Sequence, residues 1–475
     1  MRIKDLPIIN SPKAFERLHQ ELKELKRKII VLDDDPTGVQ TVHDIYVYTN
    51  WKEDTIREAF QDGNTMSFIL TNSRSFSEDE TRRVHREIGK RIQKISKELG
   101  ISYVLISRGD STLRGHYPLE TNTLKEAILE VGGDDFDGEI ILPFFPEGGR
   151  YTIGNTHYVK ENEELVPVGE TEFSKDSTFS FQSSDLSAFV EEKSRGEYKK
   201  EDCITISLED LRESTPTDLA ERIMSATSFT KIIVNAVCYT DVALFCNAWV
   251  IAMKQGKNYM VRSAAALPKV IGEIEDIPLL DHDLLCSGDQ QHGGLIIIGS
   301  HVKKTTEQLT YLMNSTLPIH FEEFSITGNE TVSLSNLRAI LEKEADRIKT
   351  IVEDRIQNGR TVAIYTSREL FGIDFTDKEQ MLQISVQISE ALTGIVARLS
   401  VPPKYLIAKG GITSSDVGTK GLSVRRALVL GQVQPGVPVW KTGEESHFSN
   451  LPYIIFPGNV GNKETLYEVV KVLEA

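Results

Sequence analysis

Three adjacent carboxylates, Asp33, Asp34 and Asp35, close the apolar run "KIIVL" and lead straight into Pro36-Thr37-Gly38. Like charges at this spacing repel. Such a cluster suits hydroxyls that donate hydrogen bonds to the carboxylates, or a hard cation such as magnesium. Three further apolar runs end on polar clusters that carry an arginine. "FILTNSR" delivers Thr71, Asn72, Ser73 and Arg74; "YVLISRGDSTLRG" delivers Arg108, Asp110, Ser111, Thr112 and Arg114; "IILPFFPEGGR" delivers Glu147 and Arg150. A guanidinium binds a carboxylate through two parallel hydrogen bonds. Arginines beside aspartates and small hydroxyls therefore suit a small anionic polyol such as a sugar acid. Taken singly, each residue also fits a solvated turn, a helix cap or a surface ion pair. Four such clusters in one half of the chain weigh against that.

The second half carries a different chemistry. "LIIIGSHVKKTTEQL", "YLIAKGGITSSD" and "YIIFPGNVGNKETLYEVV" each read as a strand, a glycine turn and a helix, the second helix starting near Thr413. Glycine lets the backbone approach a ligand, and the free amides at a helix start attract phosphate. Three such turns fit a nucleotide site, although neither the Walker A pattern nor the GxGxxG fingerprint is present.

These clusters need strands to hold them. The runs Ile29–Leu32, Ile45–Tyr48, Ser67–Leu70, Tyr103–Ile106, Glu139–Leu142, Ile204–Ser207, Ile232–Val234 and Tyr259–Val261 predict strands, and Glu78–Leu99 and Leu119–Val131 predict helices between them. The alternation predicts an α/β fold: two α/β domains with mostly parallel sheets facing across a cleft, ligands sitting at the carboxyl ends of the strands. The acidic stretch Glu273–Gly294 breaks the rhythm, which places an N-terminal substrate domain at 1–280 and a C-terminal nucleotide domain at 290–475. The formal charge of −16 argues against nucleic acid or an anionic membrane as the main partner. Ile232–Met253 is interrupted by Asn235, Thr240, Asp241 and Asn247, and predicts a strand and a buried helix instead of a membrane span. Four cysteines without a CxxC pair, and an N-terminus without an apolar leader, predict a cytoplasmic protein with reduced thiols.

Asp33-x-Asp35-x-Thr37 also matches the DxDxT opening of haloacid-dehalogenase-type phosphatases, with Asp33 as nucleophile and Asp35 as general acid. That chemistry needs a downstream lysine and an acidic pair after a strand, whereas "CSGDQQHGG" offers one Asp, Asp289, in a loop. A third alternative is a sugar-acid sensor without turnover.

The motifs together resemble the four-carbon acid sugar kinase family, of which this chain looks like a divergent subgroup. The resemblance runs from about residue 29 to the end. It rests on Asp34-Asp35-Pro36-Thr37-Gly38, Ser73-Arg74, DSTLRG at 110–115, PFFPEGGR at 143–150, Gly299-Ser300, Gly410-Gly411-Ile412-Thr413, PGVP at 435–438 and Gly458-Asn459-Val460-Gly461. It implies ATP-dependent phosphorylation of a hydroxyl on a tetronate-like acid. ATP contacts are implied at Ser300, Gly410, Gly411, Ile412, Thr413 and Gly458, and substrate contacts at Asp34, Asp35, Arg74, Asp110, Ser111 and Arg114, with Arg150 added as an anion ligand. Asp110 or Asp35 would orient the acceptor hydroxyl and take its proton, and the carboxylate of the acid would sit on Arg74 or Arg114. Magnesium would be held by ATP phosphates and water, without a dedicated protein site. A homodimer is a further expectation.

Overall fold

Apolar β-branched runs bury both faces and become parallel strands. In the computed structural model, which describes residues 2–286, 291–325, 334–367, 378–458 and 460–475, the chain divides into two compact units, Met1–Asp276 and Ile277–Ala475. The loop residue Asp289 and the turn residue Asn459 lie outside the described residues.

The first unit contains β1 (Lys28–Asp33), β2 (Ile45–Tyr48), β3 (Met66–Leu70), β4 (Tyr103–Arg108), β5 (Gly138–Leu142), β6 (Arg150–Ile153), β7 (Thr156–Glu161), β8 (Glu164–Pro167), β9 (Ile204–Ile206), β10 (Thr230–Val234) and β11 (Tyr259–Ser263). Eight of them form one sheet in the order β2-β3-β1-β4-β11-β5-β10-β9. Every neighbouring pair is parallel. The register sets Asp33 beside Leu70 and Arg108, and Arg108 beside Ser263, so four strands, β1, β3, β4 and β11, end level with one another. The helix Glu78–Leu99 is capped by Ser77, whose side chain accepts from the Glu80 amide, and is stopped by Gly100 at φ 65°. Its buried residues Val84, Ile88, Ile92 and Ile95 recur at helical spacing and pack with Leu124 and Ile128 of the helix Leu119–Glu130 against Ile30 and Leu105 of the sheet.

Some expectations shift by a residue or more. Ser207 leaves its strand to cap the next helix, in a capping box with Asp210. The helix Leu119–Glu130 ends one residue early. Ile232–Met253 does resolve into β10 and the helix Tyr239–Lys254, most of which is buried, and no described helix is long and apolar enough to cross a membrane. The sequence reading lacks the three-stranded antiparallel sheet β6-β7-β8. Arg150 therefore opens a new strand; it does not trail from the end of β5.

The second unit holds β12 (Leu295–Ile298), β13 (His320–Phe324), β14 (Val362–Thr366), β15 (Leu406–Lys409), β16 (Arg426–Gln434), β17 (Val437–Thr442) and β18 (Pro452–Phe456), in the order β13-β14-β12-β15-β18-β17-β16. The first five are parallel, and β17 runs antiparallel to both of its neighbours. The segment Pro435–Pro438 turns β16 into β17, with Gly436 at φ 79°. The helix after Gly410 begins at Gly411, two residues before the expected start.

Candidate functional site

The first unit gathers its charges where β1, β3 and β4 end. Asp33, the last residue of β1, is shut away from water. Its Oδ1 lies 3.3 Å from Arg108 Nη1, and its Oδ2 has no hydrogen-bond partner among the described residues. Burial outweighs the attraction of Arg108, and the Asp33 carboxyl is pushed up to about 7. Its burial sets Asp33 apart from the exposed, readily ionised nucleophile that the phosphatase alternative needs.

Asp34 and Asp35 share one arginine. Asn72 takes the left-handed conformation at φ 58°, which starts the tight turn Ser73–Ser75 and swings Arg74 over the carboxylates. Arg74 Nη2 and Nε donate to the two oxygens of Asp34 at 2.6 and 3.2 Å, and Nη1 donates to Asp35 Oδ2 at 3.3 Å. Asp35 also caps its own turn, accepting from the Thr37 amide at 2.8 Å and the Thr37 hydroxyl at 2.5 Å. Burial works against its ionisation, but Arg74 and these donors win, and the Asp35 carboxyl is held below its ordinary value.

Asp110 sits in the loop after β4. Its Oδ2 accepts from the Thr112 hydroxyl and from Arg114 Nε, the latter at 2.7 Å. Despite burial, Arg74, Arg114 and Thr112 hold the Asp110 carboxyl far below the usual carboxylate range. No described residue donates to its other oxygen, Oδ1. The loop is pinned by His157 of β7. His157 Nε2 donates to the Ser111 carbonyl at 2.8 Å, so Nδ1 accepts from the Thr152 hydroxyl at 2.9 Å. Burial pushes the His157 imidazole down to about 4, keeping it neutral.

Arg114 and Arg150 meet over one ring. Their guanidinium carbons lie 5.1 and 5.5 Å from the centroid of Phe173. The structure thus brings together all seven residues expected at the acid-sugar site: Asp34, Asp35, Arg74, Asp110, Ser111, Arg114 and Arg150.

Below them lies a buried network that the sequence reading missed. Glu120 accepts from Ser73 Oγ at 2.6 Å and from Arg262 Nη1 at 2.7 Å, and Arg262 also donates to Ser107 Oγ at 3.1 Å. Burial alone would raise the Glu120 carboxyl, but Arg262, with His85 and Ser73, holds it down. A Cβ on Gly115, which sits at φ 128°, would come within 2.9 Å of Arg262 Nη2, so this glycine lets the loop close over the arginine. Phe173 and His157 are the other residues missed. A lone arginine inside the apolar run "YMVRS" was the available signal.

In the second unit the glycine turns converge. A Cβ on Gly410, at φ 124°, would lie 3.0 Å from Ser300 Cβ and 3.1 Å from Thr413 Oγ1; one on Gly458 would lie 3.1 Å from Ser300 Oγ. Thr305 Oγ1 donates to the Gly458 carbonyl at 3.1 Å, and Lys409 Nζ to the Pro457 carbonyl at 3.1 Å, which ties the end of β18 to that of β15. Gly411 begins the short helix, and no described side chain caps its first-turn amides. Ile412 is exposed, so its backbone and not its side chain is what this cradle offers. A shallow bed of hydroxyls and amides that side chains cannot enter fits a polyphosphate.

Comparison with known proteins agrees with this division of labour. Residues 29–271 match the model of a sugar-binding N-terminal domain, and residues 295–466 that of a nucleotide-binding C-terminal domain. No curated protein matches the chain. Among solved structures, a Salmonella typhimurium LT2 protein provisionally named a tRNA synthase is similar at 15% identity and a TM-score of 0.61, covering 93% of this chain and 98% of its own. A Haemophilus influenzae protein from a family of unknown function is similar at 16% identity and a TM-score of 0.59, covering 94% and 100%. At these identities the likeness concerns the fold.

Proposed function

Given that the chain belongs to the four-carbon acid sugar kinase family, we propose that it transfers the γ-phosphoryl group of ATP to a hydroxyl of a four-carbon sugar acid or a closely related small acid. The observation that carries this reading is Asp110: an ionised carboxylate clamped on one oxygen by Thr112 and Arg114, with its other oxygen left for a ligand. ATP, when bound, supplies the phosphoryl electrophile, and magnesium neutralises its charge. Ser300, Thr413 and the amides around Gly410, Gly411, Ile412 and Gly458 would hold the phosphates.

The remaining work belongs to the first unit. Asp34 and Asp35, fixed by Arg74, accept hydrogen bonds from substrate hydroxyls. Asp110 Oδ1 accepts the hydrogen bond of the hydroxyl to be phosphorylated, which aligns its lone pair. A carboxylate with so low a proton affinity is a weak base. That suffices, because phosphoryl transfer runs through a loose transition state in which the attacking hydroxyl loses its proton late, so orientation matters more than basicity. Asp35 fits the same role less well, since Thr37 occupies one oxygen and Arg74 the other.

The test is to incubate the protein with ATP, magnesium and a panel of tetronic acids while following ADP. ADP production that depends on one acid supports the kinase. Phosphate release from phosphoesters without ATP would replace it with a phosphatase, and acid binding without either product would leave a sensor.

A further inference from the structure

The arginines at the strand ends differ in how far the protein already uses them. Arg74 gives three nitrogens to Asp34 and Asp35, Arg108 gives Nη1 to Asp33, and Arg262 gives Nη1 to Glu120 and Ser107. Arg114 spends Nε on Asp110 and Thr112 and approaches Asp176 only to 3.6 Å. The side chain of Arg150 has no acceptor among the described residues, and its Nε is closed off from water. Its backbone is firmly placed: Arg150 exchanges hydrogen bonds with Phe145 at 2.8 and 3.1 Å across the Pro146–Gly149 turn and pairs with Val159. Two guanidiniums on one aromatic ring repel each other, and an anion between them removes the repulsion.

We propose that Arg114 and Arg150, seated on the ring of Phe173, receive the carboxylate of the acid acceptor, and that Phe173 is a specificity-setting residue. This rests on the sugar-acid reading above and narrows it. The carboxylate end of the substrate belongs to the Arg114–Arg150 pair, not to Arg74, and its hydroxyls fall to Asp34, Asp35 and Asp110. Asp110 and Asp176 flank the pair, so a monoanionic carboxylate is tolerated where a phosphate dianion meets repulsion on both sides.

The test is calorimetric titration of the full-length chain, without nucleotide, using D- and L-erythronate, D- and L-threonate, meso-erythritol and inorganic phosphate. At least one acid should bind at least about tenfold more tightly than erythritol or phosphate. Arg150→Gln should weaken that acid about 10- to 100-fold, Arg150→Lys should recover part of the loss, and Phe173→Leu should cost several-fold, with melting temperatures of the variants near that of the parent. Unchanged acid affinity in folded Arg150→Gln, erythritol or phosphate binding as well as the acids, or no binding by any acid would overturn the assignment. The two readings separate cleanly. An acid that needs Arg150 to bind but yields no ADP defeats the kinase and leaves this site standing. An Arg150→Gln enzyme with parental KM and kcat defeats this site and leaves the kinase standing.

Discussion

Replacing Glu120 by glutamine removes one charge from a buried pair and leaves its partner in place. Arg262 is 9% exposed and Glu120 1%, and the Arg262 guanidinium donates to Glu120 at 2.7 Å. Breaking one side of such a pair leaves an uncompensated buried cation and costs roughly 3–5 kcal/mol. Asp34 lies close enough to Arg262 to offset part of this, so the lower end, ~3 kcal/mol, is expected. At about 2–4 °C per kcal/mol for a domain of this size, the first unit should melt roughly 6–12 °C lower. Scanning calorimetry of the full chain near pH 7 measures it directly. Adding Arg262→Met to Glu120→Gln should recover much of the loss, because it removes the orphaned charge. A shift of under about 2 °C in the single variant, or a double variant that loses more than the single, would refute the claim that this pair holds the floor of the site.

Other outcomes follow from the same geometry. Asp110→Asn should abolish acid-dependent ADP release while a fluorescent ATP analogue still binds; near-parental turnover would remove Asp110 from the reaction. Gly410→Val forces a β-branched side chain into a left-handed position 3.0 Å from Ser300, so analogue binding should be lost while acid affinity measured by calorimetry persists. His157 is kept neutral with a folded value of about 4 against 6.5 unfolded. Its contribution, ~3 kcal/mol, is complete above pH 6.5 and disappears as the pH falls towards 4. Urea titrations between pH 7 and 4 should show this decline in the parent and a flatter profile in His157→Gln, and equal slopes would count against it.

What the sequence disclosed follows from how local each signal is. β1, β3 and β4 are short, apolar and β-branched, and their polar ends are contiguous in the chain, so Asp34, Asp35, Arg74, Asp110 and Arg114 could be picked out before any geometry was known. Arg262 showed only as a lone arginine in the apolar run "YMVRS"; its partner Glu120 is 142 residues away in the helical stretch "LETNTL", so nothing local joins the two. Phe173 and His157 escaped for a related reason. His157 belongs to the β6–β8 excursion, whose turns at Gly154-Asn155 and Asn162-Glu163 are short hairpin signals within a polar stretch that reads as loop, and Phe173 lies beyond β8 in the short turn Glu172–Lys175. In the second unit the glycines marked the turns, but only the folded chain shows Gly410, Gly458, Ser300 and Thr413 closing on one spot. Lys409 likewise gains meaning only once β15 and β18 lie side by side.

The β6–β8 sheet joins the main sheet of its unit through the reciprocal hydrogen bonds of Thr152 and Ala236, and its strands lie outside the parallel register. Residues 150–181, which carry Arg150, His157, Phe173 and Asp176, are nonetheless built into the unit: Val159, Val168 and Phe181 pack with Leu113, Ile141 and Ile233. On the proposed assignment, adapting to an acid of another length therefore falls to single positions such as Phe173, because exchanging the whole stretch would also take His157 from the Ser111 carbonyl and unseat the Asp110 loop.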